Sequence, residues 1–167
     1  SIMNDDRGGI TKTYEAVTQY LGWQPIEAGK TMGLFPYGIE NGTLPPFFDE
    51  WSKMPGSFNR NVFMPNTPNG AFVNTGFYEQ FQTSEEEMEA AKGDFTKLQV
   101  GRDVAFKVQK ETQREMIKLI KHAVEMTGKT NVVISGGYAL NCVANYEYLD
   151  ALKEEGITIY VEPVSSD

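Results

Sequence analysis

A glycine doublet followed by an asparagine is the group of residues whose types and spacing could do chemistry. The segment from residue 131 to residue 145 reads NVVISGGYALNCVAN. Gly136 and Gly137 allow backbone angles closed to other residues and carry no Cβ atoms, so a flat ligand can lie against the main chain. Asn141, predicted to lie one turn inside the helix that follows, adds an amide with donors and an acceptor. With the N–H groups that begin the next helix, these residues are a candidate nucleotide seat.

The elements around the doublet predict a βαβ unit. Asn131 to Ser135 is a short β-branched run, which predicts a buried strand. A helical pattern follows, with Leu140 and Leu149 among the residues expected on its apolar side. Ile157 to Val161 predicts a second, parallel strand. Ligands of such sheets bind at the carboxyl ends of the strands, which would place the doublet and Asp167 on one edge. Glycine spacing alone leaves both a ligand site and a purely structural turn open.

Two further helices and an irregular insertion complete an α/β chain. Ile10, Tyr14, Val17 and Leu21 have helical spacing, and Gly22 would end that helix. Asp103 to Thr127 predicts the longest helix, with a mainly apolar stripe along one side that includes Val108 and Thr112, and with Gly128 at its end. Ile39 to Lys97 is predicted to be irregular, because its first thirty residues or so are rich in Gly, Pro, Asn and aromatics. Within it, the turn signal Asn69-Gly70 indicates a hairpin with a strand over Ala71–Tyr78.

Composition restricts the class of partner. Lys plus Arg number 15 and Asp plus Glu number 23, giving a net charge of −8, which argues against a nucleic-acid face. Because no apolar run approaches about 20 residues, no membrane partner is expected. The single cysteine, Cys142, suits the reducing cytoplasm and is expected to be buried and unreactive. The chain does not begin with Met and stops just after the second predicted strand, so we expect a piece of a longer protein.

Five stretches resemble one family in the same order. Ser135 to Asn145 closely resembles the GGxALNCVAN motif of the nodulation-type O-carbamoyltransferases, which include the tobramycin and cephamycin carbamoyltransferases. The other four stretches are Tyr14–Gly22, Gly29–Gly38, Arg102–Gln109 and Val161–Asp167. The match covers most of the chain apart from Ile39–Lys97.

The resemblance implies a fold and an activity. The fold would be part of an actin/hexokinase-like (ribonuclease H-like) domain with a mixed sheet, flanking helices and an inserted hairpin. Residues 1–167 would be the second half of the amino-terminal carbamoyl-transfer domain. That domain would move a carbamoyl group from carbamoyl-adenylate to a hydroxyl of a small molecule. Its other partner would be the rest of its own polypeptide, including a domain that makes carbamoyl-adenylate from carbamoyl phosphate and ATP.

The resemblance also implies roles for individual residues, although it assigns no catalytic one. Gly136, Gly137 and Asn141 match an adenosine-contacting motif, and Glu15 lies on the helix beside the nucleoside. Asp167 matches an aspartate that ligates a ferrous-type metal. The family's other metal ligands are a histidine pair that this sequence lacks, so we expect the chain alone to bind no metal and to show no turnover.

Two other functions remain open from the sequence. One is an N6-threonylcarbamoyl-type transferase of the same fold that acts on tRNA. The other is a nonenzymatic, actin-like nucleotide-binding module. The acidic charge balance argues against the first, and an upstream histidine pair would argue against the second.

Overall fold

The protein is an α/β chain in which helices predominate. The computed structural model describes residues 9–59, 62–66, 70–73 and 83–162. In order, their helices and strands are α1 (Ile10–Tyr20), α2 (Ala28–Leu34), β1 (Phe63–Asn66), β2 (Gly70–Val73), α3 (Glu85–Ala90), α4 (Gln99–Thr127), β3 (Asn131–Ile134), α5 (Cys142–Lys153) and β4 (Thr158–Val161).

The 29-residue helix α4 is the element on which α1, α2 and α5 pack. It begins at Gln99, one turn before the predicted start at Asp103, and ends at Thr127. Gly128 follows in the left-handed conformation with φ 66°, as its position predicted. Helix α1 packs against α4, and Val17 and Val108 are fully buried in their shared core. Despite its length, neither α4 nor any other described helix is apolar enough to cross a membrane.

Three buried carboxylates of α4 hold the irregular segment over residues 39–57. We call Asp103, Glu111 and Glu115 the carboxylate face; each is 5% exposed or less. Each accepts a hydrogen bond from a backbone N–H of the segment, so main-chain groups without a ladder partner are satisfied. The pairs are Ile39 N to Asp103 Oδ1 at 3.0 Å, Phe47 N to Glu111 Oε2 at 2.7 Å, and Gly56 N to Glu115 Oε2 at 3.0 Å.

Gly38 brings the chain onto the backbone of α4 just before this segment. It is buried, and a Cβ built on it would lie 2.1 Å from the carbonyl oxygen of Arg102 and 2.7 Å from the Cβ of Phe106. Only a residue without a side chain can therefore pass at this point.

The strands among the described residues form two separate two-stranded sheets. β1 and β2 are antiparallel and pair Phe63 with Val73, which confirms the predicted hairpin as far as Val73. Asn69 and residues 74–78 of that prediction lie outside the described residues. β3 and β4 are parallel, as predicted. The described strands do not join into the single mixed sheet that the resemblance implied.

The prediction that β3 is a buried strand was wrong. It ends at Ile134, its one buried residue, whereas Val133 is 66% exposed. Tyr160, the partner of Val133 in β4, is 56% exposed. Side chains alternate between the faces of a strand, and this sheet packs on the core with one face only.

Candidate functional site

A glycine turn leads from β3 to a cap residue. Gly136 has φ 92° and ψ 173°, a conformation almost restricted to glycine. A short 3-10 turn over Gly137–Leu140 follows, and α5 begins only at Cys142. Asn141 is therefore the N-cap of α5, and the prediction that it lies one turn inside the helix was wrong. The helix start is also displaced from the doublet to which we expected it to present its N–H groups.

The capping bond fixes the orientation of the Asn141 amide. Its Oδ1 accepts a hydrogen bond from the backbone N–H of Ala144 at 3.0 Å. Because a backbone N–H can only donate, the atom facing it must be the oxygen. Asn is among the preferred N-cap residues for this reason.

Asn141 is paired with Gln109 of α4 through both amide groups. Gln109 Nε2 donates to Asn141 Oδ1 at 3.1 Å, and Asn141 Nδ2 donates to Gln109 Oε1 at 3.0 Å. The hydroxyl of Tyr14 in α1 donates to the same Gln109 oxygen at 2.7 Å. Gln109 is fully buried, so three separated segments meet at one neutral polar cluster.

Two tyrosines form a wall beside this amide pair. The rings of Tyr14 and Tyr138 meet edge to face, with centroids 5.9 Å apart and planes inclined at 73°. The Tyr138 hydroxyl donates to Thr112 Oγ1 at 2.7 Å. Burial raises the pKa of both tyrosines above the ordinary value, and for Tyr14 the nearby Tyr138 adds to this. Both phenols are neutral at physiological pH, so neither serves as a phenolate base.

A cavity of about 440 Å³ lies against this wall. Its volume falls within the roughly 300–1,000 Å³ typical of small-molecule sites. None of the described residues that line it is Lys, Arg or His. A Cβ on Gly137 would meet no heavy atom within 4 Å, so the missing side chain leaves open space there. The lining residues are Thr11, Tyr14, Glu15, Pro25, Ile26, Ala28, Gly29, Met32, Gly137, Tyr138, Leu140 and Asn141.

The structure brings together three of the five predicted site residues. Gly137, Asn141 and Glu15 line the same cavity, while Gly136 shapes the turn behind it without lining it. Asp167, the predicted metal ligand, lies outside the described residues. Among residues that are described, no three His, Cys, Asp or Glu side chains converge as metal ligands would.

Two expectations about the neighbourhood of the doublet were wrong. Cys142 is exposed, because as the first residue of α5 it does not lie on the side that packs against α4. Leu140, at 62% exposure, and Leu149, at 51%, are not on the packed side either. That side is formed by Ala144, Tyr148 and Leu152, in keeping with the later start of the helix.

The sequence did not reveal the polar residues beneath the cavity. Gln109 and Thr112 lie on the side of α4 that an apolar stripe was expected to occupy, and both are fully buried. The one available signal was the position of Gln109 at the end of the stretch RDVAFKVQ, which resembles a family motif. Its role follows only from the contact with Asn141, 32 residues further along the chain.

The fold and the site define an α/β protein with a cavity of small-molecule size at a glycine-rich turn. The family model described as carbamoyltransferase N-terminus matches residues 7–167, so the chain belongs to that family. The chain is also 30% identical over 159 residues to the uncharacterized protein sll1178 of Synechocystis sp.. That match covers 92% of this chain and 24% of sll1178, so the chain spans about a quarter of the length of this relative.

Proposed function

We propose that this chain is part of a carbamoyltransferase and that its cavity seats the nucleoside part of carbamoyl-adenylate. The observation that carries the proposal is the convergence of Glu15, Gly137 and Asn141 on one cavity inside the residues that the family model matches. These residues come from α1, the glycine turn and the cap of α5. Membership of the family supports carbamoyl transfer, and the cavity supports the adenylate as donor.

The lining chemistry suits a nucleoside better than a phosphate. The apolar residues Ile26, Met32 and Leu140 offer contact to a flat base. Glu15 presents a carboxylate, which can accept hydrogen bonds from ribose hydroxyls but repels phosphate oxygens. The phosphate would lie toward the open backbone at Gly137, where no side chain obstructs it.

The proposed reaction is an acyl transfer. The hydroxyl oxygen of a small molecule attacks the carbamoyl carbon, and a new C–O bond forms. The bond from that carbon to the phosphate oxygen of the adenylate breaks, AMP leaves with the electron pair, and the hydroxyl proton passes to solvent or a base. Seating the nucleoside holds the reacting carbon in place, which lowers the entropic cost of the encounter.

The proposal also includes a metal ligand and a cellular location. Asp167 is the candidate ligand for a ferrous-type metal, and a single carboxylate is not a ligand set, so no step is routed through the ion. We expect the chain alone to show no turnover. A cytoplasmic location is supported by the single cysteine.

A labelled-transfer experiment with the full-length protein tests the proposed function. The protein is incubated with carbamoyl phosphate labelled at carbon, ATP and a pool of hydroxylated small molecules. We expect label in a carbamate ester, formed together with AMP and only when ATP is present. Gly137→Val, which fills open space in the cavity, should abolish transfer.

Gly42→Ala is the matched control, since its Cβ also meets open space but Gly42 does not line the cavity. It should transfer label at the wild-type rate. Label in the ester without ATP, or full transfer by Gly137→Val, would contradict the proposal.

A further inference from the structure

We infer that Gln109 is a positioning residue that restricts Asn141 to donating hydrogen bonds toward the cavity. The inference rests on the proposed function and adds a specificity rule to it. Gln109 is fully buried and does not line the cavity, so it can act on a ligand only through Asn141.

The orientation of the whole cluster follows from one unambiguous donor. The N–H of Ala144 requires the Asn141 oxygen to face it, as shown by the 3.0 Å capping bond. Gln109 must then present its NH₂ group to that oxygen and its own oxygen to the Asn141 NH₂ group. Tyr14 in turn must donate to the Gln109 oxygen. Each amide is therefore held in one of its two flip states.

Counting bonds shows what Asn141 can offer a ligand. A carbonyl oxygen has two lone pairs, and those of Asn141 Oδ1 are engaged by Ala144 N–H and Gln109 Nε2. The Nδ2 atom carries two hydrogens, of which Gln109 Oε1 takes one. A hydrogen bond from Asn141 also lowers the pKa of Tyr14, so a ligand acceptor competes with the Tyr14 hydroxyl oxygen for the other hydrogen. Any bond from Asn141 into the cavity must therefore be a donated N–H, and its ligand partner must be an acceptor.

The two polar ends of the cavity are consequently opposite in character. Glu15, when ionised, can only accept hydrogen bonds, and Asn141 can only donate them. A ligand group that bonds to Asn141 must be an acceptor, and one that bonds to the Glu15 carboxylate must be a donor. The ribose hydroxyls and the ring nitrogens of adenosine supply both kinds of group.

The test measures binding of AMP and analogues that each lack one acceptor. The probes are AMP, its three variants with N1, N3 or N7 replaced by carbon, and its two deoxyribose variants, titrated into the full-length protein by calorimetry. In the wild type, at least one analogue should bind about tenfold more weakly than AMP, the usual cost of an unmatched hydrogen bond. Equal binding of AMP and all five analogues would overturn the inference alone, because the nucleoside seat would remain.

Asn141→Asp isolates the donor from the cap. Asp caps helices as well as Asn does, so α5 should keep its helical content by circular dichroism. The variant replaces the donor by an acceptor. The affinity for AMP should fall about tenfold, to that of the analogue which the wild type binds more weakly. The difference in affinity between AMP and that analogue should then disappear. Persistence of that difference would refute the donor role of Asn141.

Gln109→Leu tests whether Gln109 acts through Asn141. It should weaken the binding of AMP several-fold and leave unchanged the binding of the analogue that the wild type binds more weakly than AMP. A merely structural role would weaken the binding of both ligands equally. In a double-mutant cycle, Gln109→Leu added to Asn141→Asp should cause little further loss. If Gln109→Leu fails to fold, Gln109→Glu, which lacks the NH₂ group, takes its place in the same cycle. Failure of the wild type to bind AMP would overturn both this inference and the proposed nucleoside seat.

Discussion

Helix α4 supports two regions of the molecule with polar groups of different kinds. Toward residues 39–57 it presents the carboxylate face, whose acids accept backbone N–H groups. Toward the glycine turn it presents Gln109 and Thr112, which are neutral and engage side chains that line the cavity. Charged groups of α4 therefore bind the backbone of the chain, and neutral amide and hydroxyl groups lie beside the open space of the cavity.

The physical reason lies in how each kind of group is compensated. A buried carboxylate needs several donors or a nearby cation. Asp103 accepts from Ile39 N, Asn41 Nδ2 and Gln99 Nε2, whereas Lys107 lies 3.1 Å from Glu111 and Lys118 lies 3.1 Å from Glu115. The Asn141–Gln109 amide pair needs no counter-charge, and its hydrogen bonds keep the oxygen and NH₂ group of each amide in one orientation. Substitutions on the carboxylate face should therefore alter stability, and substitutions at the cavity should alter binding.

Gly38→Ala should have the largest effect, because it acts on the entry to the carboxylate face. The new Cβ would lie 2.1 Å from the Arg102 carbonyl oxygen, so the chain must move away from α4. We expect a loss of roughly 3 kcal/mol in the free energy of unfolding, measured by urea denaturation. Gly42→Ala, whose Cβ meets nothing within 4 Å, should change it by less than about 0.5 kcal/mol. Equal stability of the two variants would contradict the close approach.

Glu115→Ala should have the next largest effect. It leaves the buried N–H of Gly56 without its acceptor and removes packed atoms, at a cost of roughly 2–3 kcal/mol. Glu115→Gln keeps an acceptor and loses only ion pairs with Lys118 and Arg114, which are each about half exposed. We expect that variant to lose less than about 1 kcal/mol. Similar losses in both variants would mean that the charge, and not the acceptor, holds the segment.

Glu111 should give a smaller effect that depends on pH. Burial raises the pKa of Glu111 above its ordinary value of 4.5, although Lys107 and the Phe47 N–H act in the opposite direction. The folded state then binds the proton more tightly than the unfolded state. Its contribution to stability is fully present below the unfolded pKa and is lost as the pH rises through the folded pKa.

Glu111→Gln keeps an acceptor for Phe47 N–H and removes the titration. The free energy of unfolding of the wild type minus that of the variant should fall as the pH is raised from about 4 to about 7. Chemical denaturation at several pH values measures it. A difference that is constant or rises over this range would show that the cations and donors around Glu111 outweigh its burial.

Local sequence patterns predicted the helices and strands of both regions more accurately than they predicted the contacts between them. The parallel pairing of β3 with β4 and the hairpin whose second strand begins at Gly70 followed from short-range signals, and α4 was found to within one turn. The resemblance supplied the convergence of Glu15 with Gly137 and Asn141. These signals lie within a few residues of the features they specify.

The contacts that distinguish the two regions depend on distant parts of the chain. The N–H partners of the carboxylate face are 59 to 64 residues from their acids in sequence. Because nothing near the acids indicates these partners, the sequence alone gives no reason to expect the acids to be buried. The cap role of Asn141 depended on a 3-10 turn that helical periodicity does not distinguish from a helix. The exposure of Val133 depended on which face of a two-stranded sheet packs on the core.

Gly137→Ala should have the smallest effect on stability and a clear effect on binding. Its Cβ meets no heavy atom within 4 Å, so the free energy of unfolding should stay within about 0.5 kcal/mol of the wild type. Because Gly137 lines the cavity, the same methyl group should weaken AMP binding roughly tenfold in calorimetric titration.

Gly136→Ala is the matched control at the neighbouring residue, which does not line the cavity. Its φ of 92° strains any L side chain, so it should lose roughly 1–3 kcal/mol in stability. The protein that remains folded should bind AMP as the wild type does, because the added methyl group lies outside the cavity. AMP binding that survives Gly137→Ala but is lost in Gly136→Ala would move the binding surface to the other side of the turn. The proposed binding region would then include the Gly136 side of the turn, while the carboxylate face would keep its role in holding residues 39–57.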